Sequence, residues 1–143
     1  MGKFVIERPV LLLNEQIMQA NIERMFNKAS SWRVNFRPHF KTHQSEYIAG
    51  FFRRLGVESI AVSSLKMAEY FADHGWKNIL LAFPVNLLEI NLINKLLKTT
   101  NLSVFLEDQS VAEQLNAKLK NKLSVYLKID AGYGRTGMKI ENT

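Results

Sequence analysis

The sequence predicts an α/β barrel of parallel strands that is too short to close. Three observations carry this. Extended and helical patterns alternate along nearly the whole chain, as in repeated βα units. Several extended runs have one apolar face and one small or polar face, whereas open doubly wound sheets bury both faces and read as unbroken apolar runs. The 143 residues also fall well short of a closed (β/α)8 barrel, which takes roughly 250.

Each element follows from local signals. Val10–Leu13 reads as an opening strand, and Asn14 as the N-cap of a helix carrying Met18, Ile22, Met25, Phe26 and Ala29 on one face. Arg33–Phe40 reads as a strand. Ile48, Phe51, Phe52 and Leu55 mark a second helix, with Gly56 as its stop. Ser59–Ser63 is a strand, followed by a helical stripe of Met67, Ala68, Phe71 and Ala72 closed by Gly75. Asn78–Phe83 is a strand ended by Pro84, and Leu88, Leu92, Ile93, Leu96 and Leu97 give the next helix. Ser103–Glu107 is a strand. Asp108 caps a helix with Val111, Ala112, Leu115 and Leu119, and Ser124–Asp130 is the last strand before a tail rich in glycine at its start. No linker, repeat of low complexity or domain boundary interrupts this order.

Composition narrows the class. The chain is 47% apolar, 22% charged and 10% aromatic, which excludes disorder and collagen-like repetition. No apolar run approaches the ~18 residues of a membrane span. Lys3, Glu7 and Arg8 break up the N-terminus, so a signal-peptide core is not expected. Cysteine is absent, which excludes disulfides and thiolate metal sites and fits a reducing cytoplasm. The net charge of +6 invites a nucleic-acid reading, but the basic residues are scattered over faces expected to meet water, with the densest stretch at Lys118–Lys122. Neither nucleic acid nor membrane is expected as a partner.

Two motifs can carry chemistry. In Arg37-Pro38-His39-Phe40-Lys41-Thr42-His43, strand alternation puts Arg37, His39 and Lys41 on one face, roughly 6.6 Å apart in succession. They end a strand, where parallel barrels bind ligands. A lysine flanked by cations loses its proton more readily, and a neutral amine is what forms a Schiff base. The second motif, Asp130-Ala131-Gly132-Tyr133-Gly134-Arg135-Thr136-Gly137, formally matches G-x-G-x-x-G. A dinucleotide site needs a helix next and an acidic residue ~20 positions on, so the preferred reading is a flexible loop presenting Arg135 to an oxyanion or phenolate. His39 and His43 lack a third ligand for a metal. His74 is explained by a helix C-terminus, Glu69 by solvation, and Glu107 either faces the interior or caps the following turn.

Together PVLLLN, RPHFKTH, AVSSLKMAEYFADHG, NILLAFP and KIDAGYGRTG resemble the D-threonine aldolase / D-serine dehydratase family, within the alanine racemase-like, fold-type III pyridoxal-phosphate enzymes. The resemblance runs from about Arg8 to Gly137. It implies a (β/α)8 TIM barrel of the alanine racemase type, incomplete here, with five barrel strands at 33–40, 59–63, 78–83, 103–107 and 124–130. It implies that Lys41 holds pyridoxal 5'-phosphate as a Schiff base and serves as a base at the substrate Cα. Arg135 would approach the cofactor's phenolic oxygen, and Arg37 and His39 would line the pocket. On this reading residues 1–143 are the N-terminal part of a cofactor-binding barrel domain whose C-terminal β-domain, together with any divalent-metal ligands, lies outside this chain. The full-length protein would be a homodimeric lyase acting on a D-β-hydroxy-amino acid. The rival readings are a racemase of the same fold, a non-catalytic cofactor carrier, and a Schiff-base aldolase without the cofactor.

Overall fold

The computed structural model describes residues 7–139. The chain divides into two compact units, Met1–Asn35 and Phe36–Thr143.

The first unit is built on α1, Glu15–Ser31. Asn14 caps it as expected, its Oδ1 accepting from the Ile17 N–H at 3.0 Å. Of the expected apolar stripe, Ile22 is buried and Met25 is exposed. The expected opening strand is not formed: residues 10–13 are irregular and exposed, and among the described residues no strand pairs with them. The helix stops in a Schellman turn. Val34 N–H reaches Ala29 O at 3.1 Å, Arg33 N–H reaches Ser30 O at 3.0 Å, and Arg33 takes φ 55°. Glycine normally fills that position, and arginine there left no signal of a stop.

The second unit holds a sheet of four parallel strands in sequential order, β1 (Ser59–Val62), β2 (Asn78–Pro84), β3 (Asn101–Leu106) and β4 (Ser124–Leu127). This unreversed order is that of a barrel segment and not of a doubly wound sheet, where the order turns back on itself. The connecting helices are α2 (Glu46–Arg54), which precedes β1, then α3 (Leu65–Asp73), α4 (Ile90–Leu96) and α5 (Gln109–Lys118). Ser45, Ser64 and Asp108 cap α2, α3 and α5 through side-chain oxygens. Two helices end identically. After α2, Val57 N–H bonds Phe52 O and Gly56 N–H bonds Arg53 O. After α3, Trp76 N–H bonds Phe71 O and Gly75 N–H bonds Ala72 O. Gly56 and Gly75 sit at φ 85° and 91°, so both predicted stops are Schellman turns.

The core lies between sheet and helices. Ile79 and Leu81 of β2 and Leu102, Val104 and Leu106 of β3 alternate with less buried neighbours, and α3, α4 and α5 supply Leu65, Ala68, Phe71, Ile93, Leu96 and Leu115. Buried Asn94 ties α4 to the end of α5 and the chain just beyond it. Its Nδ2 donates to Lys118 O at 3.1 Å and its Oδ1 accepts from Lys120 N–H at 2.8 Å. Glu69 is not simply solvated. Hydrogen bonds from Lys66 and then Lys95 pull its carboxyl down to about 2 and link α3 to α4.

Two expected barrel strands differ. Arg33–Phe40 is not a strand: beyond the left-handed Arg33, one parallel bridge joins His39 to Ala61, with Ala61 N–H donating to Pro38 O at 2.9 Å. Pro38 has no N–H to extend a ladder. The run 124–130 divides at Lys128, whose N–H bonds Leu106 O at 2.8 Å while its carbonyl accepts from Met138 N–H at 2.8 Å. Beyond it, β5 (Ile129–Asp130) pairs in parallel with β6 (Met138–Lys139). The five expected barrel strands are therefore four strands and a single-bridge segment. No helix among the described residues is long and apolar enough to cross a membrane.

Candidate active site

Parallel pairing places everything that follows a strand's C-terminus on one rim of its sheet. His39 lies level with Ala61, so Lys41 lies just past the end of β1, on the rim where Ser63 and Ser64 follow β1 and Glu107 and Asp108 follow β3. That is the binding rim of parallel barrels.

Lys41 sits on a one-turn 3-10 helix, Phe40–Thr42, and so leaves the strand alternation that would align it with Arg37 and His39. Its ammonium is exposed and has no ion-pair partner among the described residues. Its backbone is held on both sides. His39 Nδ1 accepts the Lys41 N–H at 3.2 Å, and Gln44 Nε2 donates to the Lys41 carbonyl at 3.3 Å. Gln44 N–H closes the turn onto Phe40 O at 3.0 Å, with Gln44 at φ 46°. Below it, Phe40 is wholly buried, its ring 4.9 Å from Phe71, 5.2 Å from Phe52 and 5.2 Å from Trp76. An exposed side chain thus stands on a backbone hydrogen-bonded on both sides.

Both neighbouring histidines have their pKa held below the ordinary imidazole value. Burial, then the Lys41 charge, lowers His39 below the usual 6.5. Because its Nδ1 accepts a hydrogen bond, its proton resides on Nε2. Burial likewise lowers His43, whose Nδ1 accepts from Ser45 N–H at 3.2 Å and whose ring lies 4.6 Å from that of Phe40. His43 Nε2 is buried without a hydrogen-bond partner. Arg37 is half-buried ahead of them.

The glycine-rich segment is a closed loop between β5 and β6, with Gly132, Gly134 and Gly137 at φ 109°, 72° and 114°. A strand follows it, not the helix that a dinucleotide site requires. Asp130 organises the loop: its carboxylate accepts from Gly132 N–H at 3.0 Å and from Gly134 N–H at 3.0 Å. These bonds, Gly134 first, hold its carboxyl below the usual carboxylate range. Lys128 Nζ donates to Thr136 Oγ1 across the same loop. At Gly137 a Cβ would come within 2.7 Å of the Asp130 nitrogen, so only glycine fits. Arg135 is exposed at the tip, its guanidinium 5.4 Å from the Tyr133 ring centre.

Arg37, His39 and Lys41 are therefore gathered in one segment, and Arg135 stands on another. No hydrogen bond, ion pair or ring contact joins Lys41 to Arg135 among the described residues. Of the two readings left for Glu107, the cap is excluded, because Asp108 Oδ1 takes the Val111 N–H at 3.0 Å. Glu107 Oε2 is instead buried and unpartnered beside a small cavity of about 110 Å³ lined by Pro84, Val85 and Phe105. Gln44 and Asp130 are the residues that sequence reasoning missed. The spacing D-x-G-x-G was the available sign for Asp130, since glycines at positive φ turn their N–H groups toward a preceding carboxylate. No group of three His, Asp or Glu among the described residues could hold a metal ion.

Residues 13–143 match the family described as alanine racemase, N-terminal domain. The chain is 29% identical over 153 residues to a D-serine dehydratase of Dictyostelium discoideum, covering 96% of this chain and 38% of that protein. It is 28% identical over 144 residues to a D-threo-3-hydroxyaspartate dehydratase of Delftia sp. (strain HT23), covering 96% of this chain and 37% of that one. Among solved structures, D-threonine aldolase from Filomicrobium marinum shares the fold with a TM-score of 0.84 at 24% identity, over 95% of this chain and 38% of its own. The chain thus spans well under half the length of the relatives it matches.

Proposed function

The chain belongs to the alanine racemase N-terminal domain family, and from that premise we propose that residues 1–143 are the N-terminal part of the barrel domain of a pyridoxal-phosphate-dependent lyase acting on D-β-hydroxy-amino acids. The observation that carries the reading is Lys41: an exposed amine without an ion-pair partner among the described residues, on a turn pinned by buried Phe40, at the binding rim of a parallel sheet. The names of the relatives, two dehydratases of D-serine and D-threo-3-hydroxyaspartate, support the substrate class and leave dehydration and retro-aldol cleavage both within it. The absence of cysteine fits the cytoplasm, and the reading includes a homodimer for the whole protein.

The residues present fit the cofactor. An exposed primary amine with no ion pair among the described residues is available at Lys41, and a permanent cation at Arg135 suits a phenolate oxygen. Once bound, the cofactor supplies an electron sink for the charge that develops at the substrate Cα. The chain's own part is positional and protolytic. Lys41 is the attachment point and then the base that holds or moves the Cα proton. His39, its Nδ1 taken by the Lys41 N–H and its pKa lowered by burial and by the Lys41 charge, lines the pocket with Nε2 as its free ring nitrogen. Arg37 adds a fixed positive charge suited to an anionic group of cofactor or substrate. A divalent metal in the whole protein would take its ligands from outside this chain.

The test uses an enzyme that contains this chain with the remaining barrel. Release of an aldehyde, or of ammonia with an oxo acid, from D-β-hydroxy-amino acids in the presence of pyridoxal phosphate is expected, and Lys41→Ala abolishes it. Preference for the L-enantiomer, or turnover that survives Lys41→Ala, contradicts the proposal.

A further inference from the structure

Arg135 is exposed at the tip of a loop with three glycines in the left-handed region, the least constrained backbone available to a side chain that must meet a ligand. Yet the loop is closed at its base from three sides. The Asp130 carboxylate takes the Gly132 and Gly134 amides. Lys128 Nζ reaches Thr136 Oγ1 on the far limb. Gly137 packs against the Asp130 backbone so closely that a Cβ would lie 2.7 Å from its nitrogen. The two amides bracket Tyr133, whose ring lies under the Arg135 guanidinium at 5.4 Å. The Gly134 N–H belongs to the Tyr133–Gly134 peptide, so the carboxylate holds the backbone one residue before Arg135.

We infer that Asp130 is a positioning residue: by holding the Gly132 and Gly134 amides it sets the backbone of Arg135 and with it the guanidinium's reach to the cofactor's phenolic oxygen. This rests on the reading of Arg135 given above. Asp130 itself touches neither substrate nor cofactor. The carboxylate suits the role because it carries two acceptor oxygens and no donor, so it can grip two amides at once. The loop gains its geometry from charge-assisted bonds without a bulky side chain inside it.

The experiment is a double-mutant cycle on the full chain with pyridoxal phosphate as the probe, binding being followed by the visible absorbance of the lysine adduct. Arg135→Ala weakens binding about tenfold or more, the loss of one charge-assisted bond. Asp130→Ala weakens it toward the Arg135→Ala level, and the double variant binds no more weakly than Arg135→Ala alone. Amide exchange without cofactor gives an independent reading: Gly132 and Gly134 exchange faster in Asp130→Ala and unchanged in Arg135→Ala. Should Asp130→Ala not fold, Asp130→Asn keeps one carbonyl acceptor in the same shape, and its binding falls between the wild type and Arg135→Ala. Additive losses, or binding unaffected by either Asp130 variant while Arg135→Ala weakens it, overturn the inference and leave the reading of Arg135 standing. An Arg135→Ala chain that binds like the wild type overturns that reading, and the inference with it.

Discussion

Phe40 and Lys41 are adjacent in sequence and opposite in environment, one wholly buried among rings and the other exposed. The contrast explains how an exposed lysine can have a fixed origin, and it makes Phe40→Ala a sharp probe. Loss of the ring opens a cavity beside Phe52, Phe71 and Trp76 and is expected to destabilise the chain by about 3–5 kcal/mol in denaturant unfolding. The two histidines of the segment give a pH dependence of known sign. Both have folded-state values below the ordinary 6.5, so above 6.5 neither opposes folding. As pH falls through 6.5 the unfolded chain takes up protons that the folded chain resists, and stability declines until the folded values are reached. Denaturant midpoints should fall between neutral and mildly acidic pH. His43→Phe, which suits the aromatic surroundings, should flatten that slope; an unchanged slope would show that His43 is not one of the groups responsible.

At the scale of elements, α2, α3 and α5 were legible because their ends are written in local chemistry, and α4 from its apolar stripe alone. Ser45, Ser64 and Asp108 accept amides at the starts, and Gly56 and Gly75 take positive φ at the stops. The extended segment at 33–40 was not, because its alternation of apolar and polar residues is genuine while its hydrogen bonding is not: Arg33 is the left-handed end of α1 and Pro38 can only accept. The run 124–130 was read as one strand because its pattern is continuous, and nothing local announces that Lys128 hands the chain from Leu106 to Met138. The site followed the same division. Lys41 was visible from residue type and position, whereas the Asp130 clamp depends on amides that only the folded glycines present. Gly137→Ala tests the loop as an element. With φ 114° and backbone atoms at 2.7 Å and 2.9 Å from the added Cβ, the substitution should cost about 1–3 kcal/mol locally. It should be seen as faster amide exchange at Gly132 and Gly134 with the α2–β3 core unchanged.

At the scale of the whole molecule, the sheet has two outer strands, and β4 is exposed along its length. Val125, Leu127 and Ile129 are 47%, 67% and 53% exposed, and a parallel sheet normally has both faces covered. An unpaired apolar edge recruits other chains, so the 143-residue chain on its own should associate as its concentration rises in light scattering and show no lyase turnover above background. A monodisperse monomer that cleaves D-threonine with added cofactor and divalent metal would show that the missing strands carry nothing essential. The central claim, that the rim of this sheet presents Lys41 as a cofactor attachment point, has a more direct test. Incubation with pyridoxal phosphate, borohydride reduction and peptide mapping should place the pyridoxyl label on Lys41. A label on Lys66 or Lys128 instead, or none on Lys41 at a saturating cofactor concentration, would contradict it.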